Sequence, residues 1–399
     1  MTIDYNTKLK SNVWKYYLFE GLWSLVFFFP IFQLFYLAKS MSIFQISLIG
    51  IGFSITSLIF EIPSGVLADK WGRKKTLLLS QTFFIISMLA VIFGNYFWHF
   101  FIAAIFSGLW WACYSGTGVA FFYDTLVELK RKKEYEKLMG RLNLFTGTIG
   151  FISAFLAGFL FSIDIRLPYI FSTISAALSI VVISTLTEPK LHKHVEETIF
   201  SHFKSSIRQV IKTEYLAFIV IYGAVLSWAL DFTFSYSQIY FKLISIPIIW
   251  FGIIFAFESF IEGIGGWSAD KIKNTFSYRF IFSFSLLLTL LAVFLISYLK
   301  NYIGIIVFLL VMFISGMFRI IRRGYIHNRV KSYNRATIDS ISTFGMFVLI
   351  VIFEPIAGKI ADIYSIQTSF FMLGCILLVY TIYFFIAKFS HKRLFSKSS

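Results

Sequence analysis

The sequence predicts an all-α membrane protein of twelve spanning helices, built as two similar six-helix halves. Three observations carry this. Apolar residues make up 58% of the 399 and charged residues only 14%, with a mean hydropathy of +0.78. Uncharged runs such as 167–187, 280–299 and 363–387 reach the roughly 20 residues a helix needs to cross a bilayer. Second, Glu61, Gly65 and Asp69, spaced by four and so aligned on one helix stripe, return 201 residues later as Glu262, Gly266 and Asp270. Third, 30 of the 36 Lys and Arg fall in alternate connections. That bias puts both termini in the cytoplasm and sets basic loops against anionic lipid.

The spans follow in order. Lys8, Lys10 and Lys15 precede the first, 13–37, which has no small-residue cleavage site and reads as a retained helix. The second, 43–67, runs into the acidic stripe and then a cationic turn over 69–75. Spans 76–95 and 97–124 follow, separated by a short polar break. The basic stretch 125–141 leads into 139–162, where Gly147, Gly150 and Gly158 invite close helix packing. Span 166–187 closes the first half, so that residues 1–187 form one unit. Residues 188–214 are the long polar connection, with His192, His194 and His202 in a spacing without accompanying metal ligands. The second half, 215–399, holds spans 215–241, 247–268, 277–299, 301–325, 336–360 and 365–388 and a short basic tail. Cys113 and Cys375 lie in different apolar segments and read as packing residues.

These patterns exclude several function classes. The formal charge of +16 is topological and does not indicate nucleic acid. No Gly-x-x-x-x-Gly-Lys-Ser/Thr phosphate loop is present, and no Ser/His/Asp or metal constellation converges, so neither an enzyme nor a cofactor is expected.

Ionisable residues within spans are costly and mark functional candidates. Glu20, Asp231, Glu258 and Arg319 are the deepest in apolar sequence. Glu258 and Glu262 share a face, and one cation such as Arg319 would serve both. Glu20 and Asp231 have no evident cationic partner and are expected to face a central cavity, where at least one would carry a coupling proton. Trp14, Trp23, Trp110, Trp111, Trp228, Tyr236 and Tyr240 are amphipathic rings suited to the membrane interface or to lining a cavity for a flat lipophilic ligand.

The run Gly65-Val-Leu-Ala-Asp-Lys-Trp-Gly-Arg-Lys-Lys75 resembles the loop 2–3 signature of the major facilitator superfamily, Gly-x-x-x-Asp-Arg/Lys-x-Gly-Arg-Arg/Lys. Tyr123-Asp124-Thr125-Leu126 and Arg335-Ala-Thr337 are similar to a bacterial, efflux-like branch. The proline of that superfamily's antiporter motif in the fifth span and the arginine usual in the fourth are absent. The resemblance implies the major facilitator fold, with its eighth and tenth helices adjoining, and alternating access around a midplane site. Gly65, Asp69, Gly72, Arg73, Asp124, Arg141, Gly266, Asp270 and Arg335 are then expected to act in gating. Asp69 would face Arg335, Asp270 would face Arg141, and Asp124 would hold Arg73.

The expected function is secondary transport of a small molecule across the cell membrane, with proton-coupled export of lipophilic or cationic compounds preferred. A carrier for a specific metabolite, anions included, is the alternative, and a non-transport membrane protein is the remaining class. Protons, the bilayer and a small-molecule substrate are the expected partners, and the protein is expected to act as a monomer.

Overall fold

The computed structural model describes residues 5–190, 214–327 and 335–390, with the side chains of 214–216, 327, 335–340 and 387–390 outside that description. Most of the 188–214 connection, including its three histidines, therefore lies outside the described residues. Fourteen α-helices are formed among the described residues. They are α1 (Tyr5–Trp23), α2 (Phe32–Ala38), α3 (Ile43–Trp71), α4 (Arg73–Phe93), α5 (Phe97–Ser115), α6 (Thr117–Glu128), α7 (Tyr135–Ile163), α8 (Leu167–Ser184), α9 (Glu214–Leu243), α10 (Ile249–Thr275), α11 (Tyr278–Tyr298), α12 (Ile303–His327), α13 (Arg335–Ile363) and α14 (Ile366–Ser390). Eleven spans among them, α5 with α6 counting as one, are long and apolar enough to cross a membrane.

The first expected span departs from its reading. It is no continuous helix over 13–37. Instead α1 ends at Trp23, and a 3-10 turn, Phe29–Ile31, leads into the short α2. Pro30 lacks an N–H and leaves a rung of an α-helical ladder unmade. A broken helix at membrane depth needs partners for its backbone. Serines supply them: Ser175 donates to the Leu22 carbonyl, Ser153 donates to that of Ser24, and the Phe27 N–H donates to Ser172 Oγ at 3.0 Å. The fourth span is likewise divided, at Gly116, into α5 and α6.

The chain separates into two compact units, one of Met1–Met41, Leu48–Glu196 and Ile248–Ile253, the other of Ser42–Ser47, Glu197–Pro247 and Ile254–Ser399. In the first, α4 packs on α5 and α8, and α1 packs on α6, α7 and α8. In the second, α9 lies along α13, α11 along α14, and α12 against α11 and α9.

Glycines allow the closest approaches. Gly265 of α10 sits against the Phe313 carbonyl of α12, and Gly316 of α12 against that of Glu262. The close contact thus falls one residue from the repeated Gly266, while Gly65 faces open space. In α7, Gly158 packs on the backbone at Ile248 and Ile249, whereas Gly147 and Gly150 are open.

Candidate functional site

Between α3 and α4 the signature turn is one residue long. Gly72 has φ +105°, a conformation that a side chain disfavours. The first amides of α4 then need acceptors, and the Glu188 carboxylate provides both, taking the Arg73 N–H at 2.7 Å and the Lys74 N–H at 2.8 Å. Arg73 extends to Asp124 on α6 at 2.9 Å, with both side chains about 16% and 15% exposed. Glu188 is a residue of this turn that sequence reading missed, because it lies 115 residues beyond Arg73.

A side chain at position 72 would meet both an unfavourable φ and the Glu188 carboxylate 3.3 Å away. Gly72→Ala is expected to cost about 1–3 kcal/mol, read as a lowered melting temperature of the purified protein. An unchanged melting curve would mean that the turn relaxes without strain.

The other gating candidates are placed separately. Asp69 lies in the last turn of α3 and is partly buried, Arg141 is exposed on α7, and Asp270 is exposed on α10 and accepts from Asn274 at 3.1 Å. Arg335 opens α13, and its side chain lies outside the described residues.

In the first unit, Glu20 is 8% exposed on α1 and accepts from the Tyr114 hydroxyl at 2.7 Å. The Tyr16 hydroxyl, one turn earlier on α1, lies within electrostatic reach of the same carboxylate. One turn further along α1, the Trp23 ring lies 4.5 Å from that of Trp110 and 5.3 Å from that of Tyr114. Phe84 of α4 closes the group, 5.4 Å from Trp23 and 5.1 Å from Trp110. Trp110 is buried and its indole N–H has no hydrogen-bond partner. Among the described residues Glu20 forms no ion pair. A carboxylate ringed by aromatic faces, with no cationic side chain, suits a positively charged organic group.

In the second unit Arg319 serves one of the two acids expected of it. That guanidinium is 55% exposed and pairs with Glu262 at 3.2 Å, not with Glu258. Glu258 is buried at 2% exposure, and its Oε1 has no partner. The buried arginine of α12 is instead Arg322, which donates to Ser342 at 2.6 Å. Depth in an apolar run fixes a residue's level along the helix but not the direction it faces. An exposed pair contributes little, so Arg319→Met is expected to shift stability by less than about 1 kcal/mol instead of the roughly 3–5 kcal/mol of a buried pair. Thermal unfolding of that variant beside Glu262→Gln checks it, and a large loss would restore the buried-pair reading.

Asp231 is partly buried on α9. Glu354, absent from the sequence candidates, is buried on α13 within its electrostatic reach. Its only sequence signal is an acid before Pro355 inside a 29-residue apolar helix.

The family model of the Major Facilitator Superfamily matches residues 19–338. Three Bacillus subtilis proteins align with the chain. An uncharacterized MFS-type transporter is 25% identical over 61% of this chain and 62% of its own length. Multidrug resistance protein 1 is 24% identical over 66% and 67%, and multidrug resistance protein 2 is 27% identical over 43% of each. The chain thus spans less than two thirds of the first of these relatives. Among solved structures, a mutant of the nucleoside transporter NupG has a TM-score of 0.77 at 14% identity, covering 96% of this chain and 99% of that one. A bacterial homologue of the human lysosomal transporter Spinster has a TM-score of 0.70 at 13% identity, covering 100% of both. These likenesses extend the fold across the chain, and the match over 19–338 decides the family: the chain belongs to the Major Facilitator Superfamily.

Proposed function

We propose that the protein is a proton-coupled secondary transporter that exports lipophilic or cationic small molecules by alternating access. The observation that carries this is the Glu20 carboxylate, buried between Tyr114 and Tyr16 beside Trp23 and Trp110 and without a cationic side chain. Burying an unpaired carboxylate is costly, and a bound cation offsets that cost. The names of two relatives, multidrug resistance proteins, support the same class. The anionic alternative required Arg319 as a binding cation, and its pairing with Glu262 speaks against that role.

In this reading the basic loops are cytoplasmic, both termini lie there, and the monomer is the working unit. The decisive experiment places purified protein in proteoliposomes with an imposed pH gradient. Cationic dyes should move against the proton gradient and organic anions should not. The reverse selectivity would overturn the reading.

In the same proposal the end of α3 acts in gating: Asp69 lies in its last turn, where the helix dipole disfavours a carboxylate. Asp69→Asn should therefore change the labelling rate of a cysteine placed beside the Gly72 turn. An unchanged rate would reduce the motif to a packing device.

A further inference from the structure

A cleft of about 460 Å³ opens on the first unit, between the first turns of α1 and the segment that follows α8. That volume is in the range of small-ligand pockets, roughly 300–1,000 Å³. Thr7, Lys8, Ser11 and Lys15 form one wall and residues 185–187 the other. Lys8, Ser11 and Lys15 are spaced by three and four, so they lie on one stripe of α1, with the two lysines two turns, about 10 Å, apart. Their flexible stems can bring both ammonium groups to a common point between them.

Donors are left over here and acceptors are not. Lys15 Nζ donates to the Thr185 carbonyl at 2.8 Å and Lys74 Nζ to that of Ser184 at 2.6 Å, the service lysines give to the last carbonyls of a helix. The Thr187 carbonyl is taken by the Asn12 amide at 2.7 Å. Lys8 has no such task, and among the described residues its ammonium has no partner. The hydroxyls of Thr7 and Thr187 make no hydrogen bond among the described residues either. The acids of this region are committed elsewhere. Glu188 takes the Arg73 and Lys74 amides, and Glu128 takes the Tyr5 hydroxyl and the Lys190 amide. Two cations and two idle hydroxyls around one cleft call for an anion with several oxygens.

The depth of the cleft narrows the choice. Trp14 is 60% exposed, and Lys15 Nζ stands 5.9 Å from its ring. An exposed tryptophan near the end of a membrane helix sits at the level of the lipid headgroups, where phosphate groups are concentrated. We propose that the cleft binds one phosphate-bearing anion per chain, with the Lys8 and Lys15 ammoniums and the Thr7 and Thr187 hydroxyls donating to the phosphate oxygens. A phospholipid headgroup and soluble phosphate share this chemistry. The site is distinct from the general attraction of basic loops to an anionic membrane, because it assigns binding to two of the chain's 36 cationic side chains and to a count of one. It is independent of the substrate and of the direction of transport.

The test uses the full-length protein, delipidated in a nonionic detergent. One arm titrates phosphatidylglycerol or phosphatidylcholine and counts the lipids retained by native mass spectrometry. The other adds inorganic phosphate and follows the melting temperature, which rises if the ion binds the folded state. Wild type should retain one phosphatidylglycerol per chain where phosphatidylcholine is not retained, which makes the source a lipid. Stabilisation by inorganic phosphate without selective lipid retention would make it a soluble ion at the same site. In whichever arm responds, Lys8→Gln should weaken binding about tenfold, the loss of a hydrogen bond to a charged group, and Lys8→Arg should retain it. Lys8→Gln with Lys15→Gln should abolish binding, and Thr187→Val should weaken it. Lys8 has no partner to lose, so Lys8→Gln without ligand should melt at the wild-type temperature, and its weaker binding then reports on the site and not on the fold. Lys10→Gln removes an exposed charge of α1 that does not border the cleft, and it should leave binding unchanged. Equal losses in Lys8→Gln and Lys10→Gln would reduce the effect to diffuse attraction and overturn the site. Unchanged binding in Lys8→Gln, or no response in either arm, would overturn it as well.

Discussion

Glu20→Gln is expected to weaken the binding of a lipophilic cationic dye at least thirtyfold, about 2 kcal/mol, and to abolish its movement driven by an imposed pH gradient. Glutamine keeps the length of the side chain, and its carbonyl oxygen can still accept from Tyr114, so the bond at 2.7 Å and the packing of α1 on α6 and α8 should survive. What is lost is the charge. A buried carboxylate facing a buried cation, unscreened by water, is worth far more than a pair on a surface. The aromatic part is tested separately. Trp110→Leu, beside Trp23 at 4.5 Å, should cost about 1–2 kcal/mol for cationic dyes and much less for a neutral molecule of similar size. Equal losses for charged and neutral probes would mean that the rings supply only apolar surface. Unchanged dye binding in Glu20→Gln would remove the first unit from the substrate site.

The parts of this molecule that were legible in the sequence are those fixed by local pattern. Spans with an apolar run and basic flanks are local, and so are the turn within 69–75, which the structure narrows to Gly72, and the four-residue spacing of Glu61, Gly65 and Asp69. The break after Trp23 was not legible because the groups that tolerate it are Ser153, Ser172 and Ser175, 129 to 153 residues away on α7 and α8. Distance in sequence hid Glu188 from the α4 N-terminus in the same way. Arg319 and Arg322 illustrate a different limit. Both follow a long apolar run on one helix, and only tertiary packing turns one outward to Glu262 and buries the other against Ser342. Glu354 falls inside the expected span 336–360 with no local mark beyond standing before Pro355, and it is the packing of α13 on α9 that buries it.

Asp124→Asn is expected to destabilise the first unit by about 2–3 kcal/mol, just below the range for breaking a fully buried ion pair, because its side chain and that of Arg73 retain some exposure. Arg73 is the first residue of α4, where the helix dipole is positive and a guanidinium is unfavourable. Two anions offset it. Glu188 takes the amides of Arg73 and Lys74, and Asp124 takes the guanidinium itself at 2.9 Å. Removing the Asp124 charge leaves Glu188 to serve a helix end that carries Arg73, Lys74 and Lys75 in succession. Arg73→Met should cost less, since it takes away the misplaced cation along with its bond. If the two side chains act as a unit, the double variant should recover most of the Asp124→Asn loss, a coupling of about 1–3 kcal/mol in a thermal-unfolding cycle. Losses that simply add would mean that the pair is incidental and that Glu188 alone organises the turn. Glu188→Gln then decides the matter, because it weakens the cap on α4 while leaving the Arg73 to Asp124 bond in place.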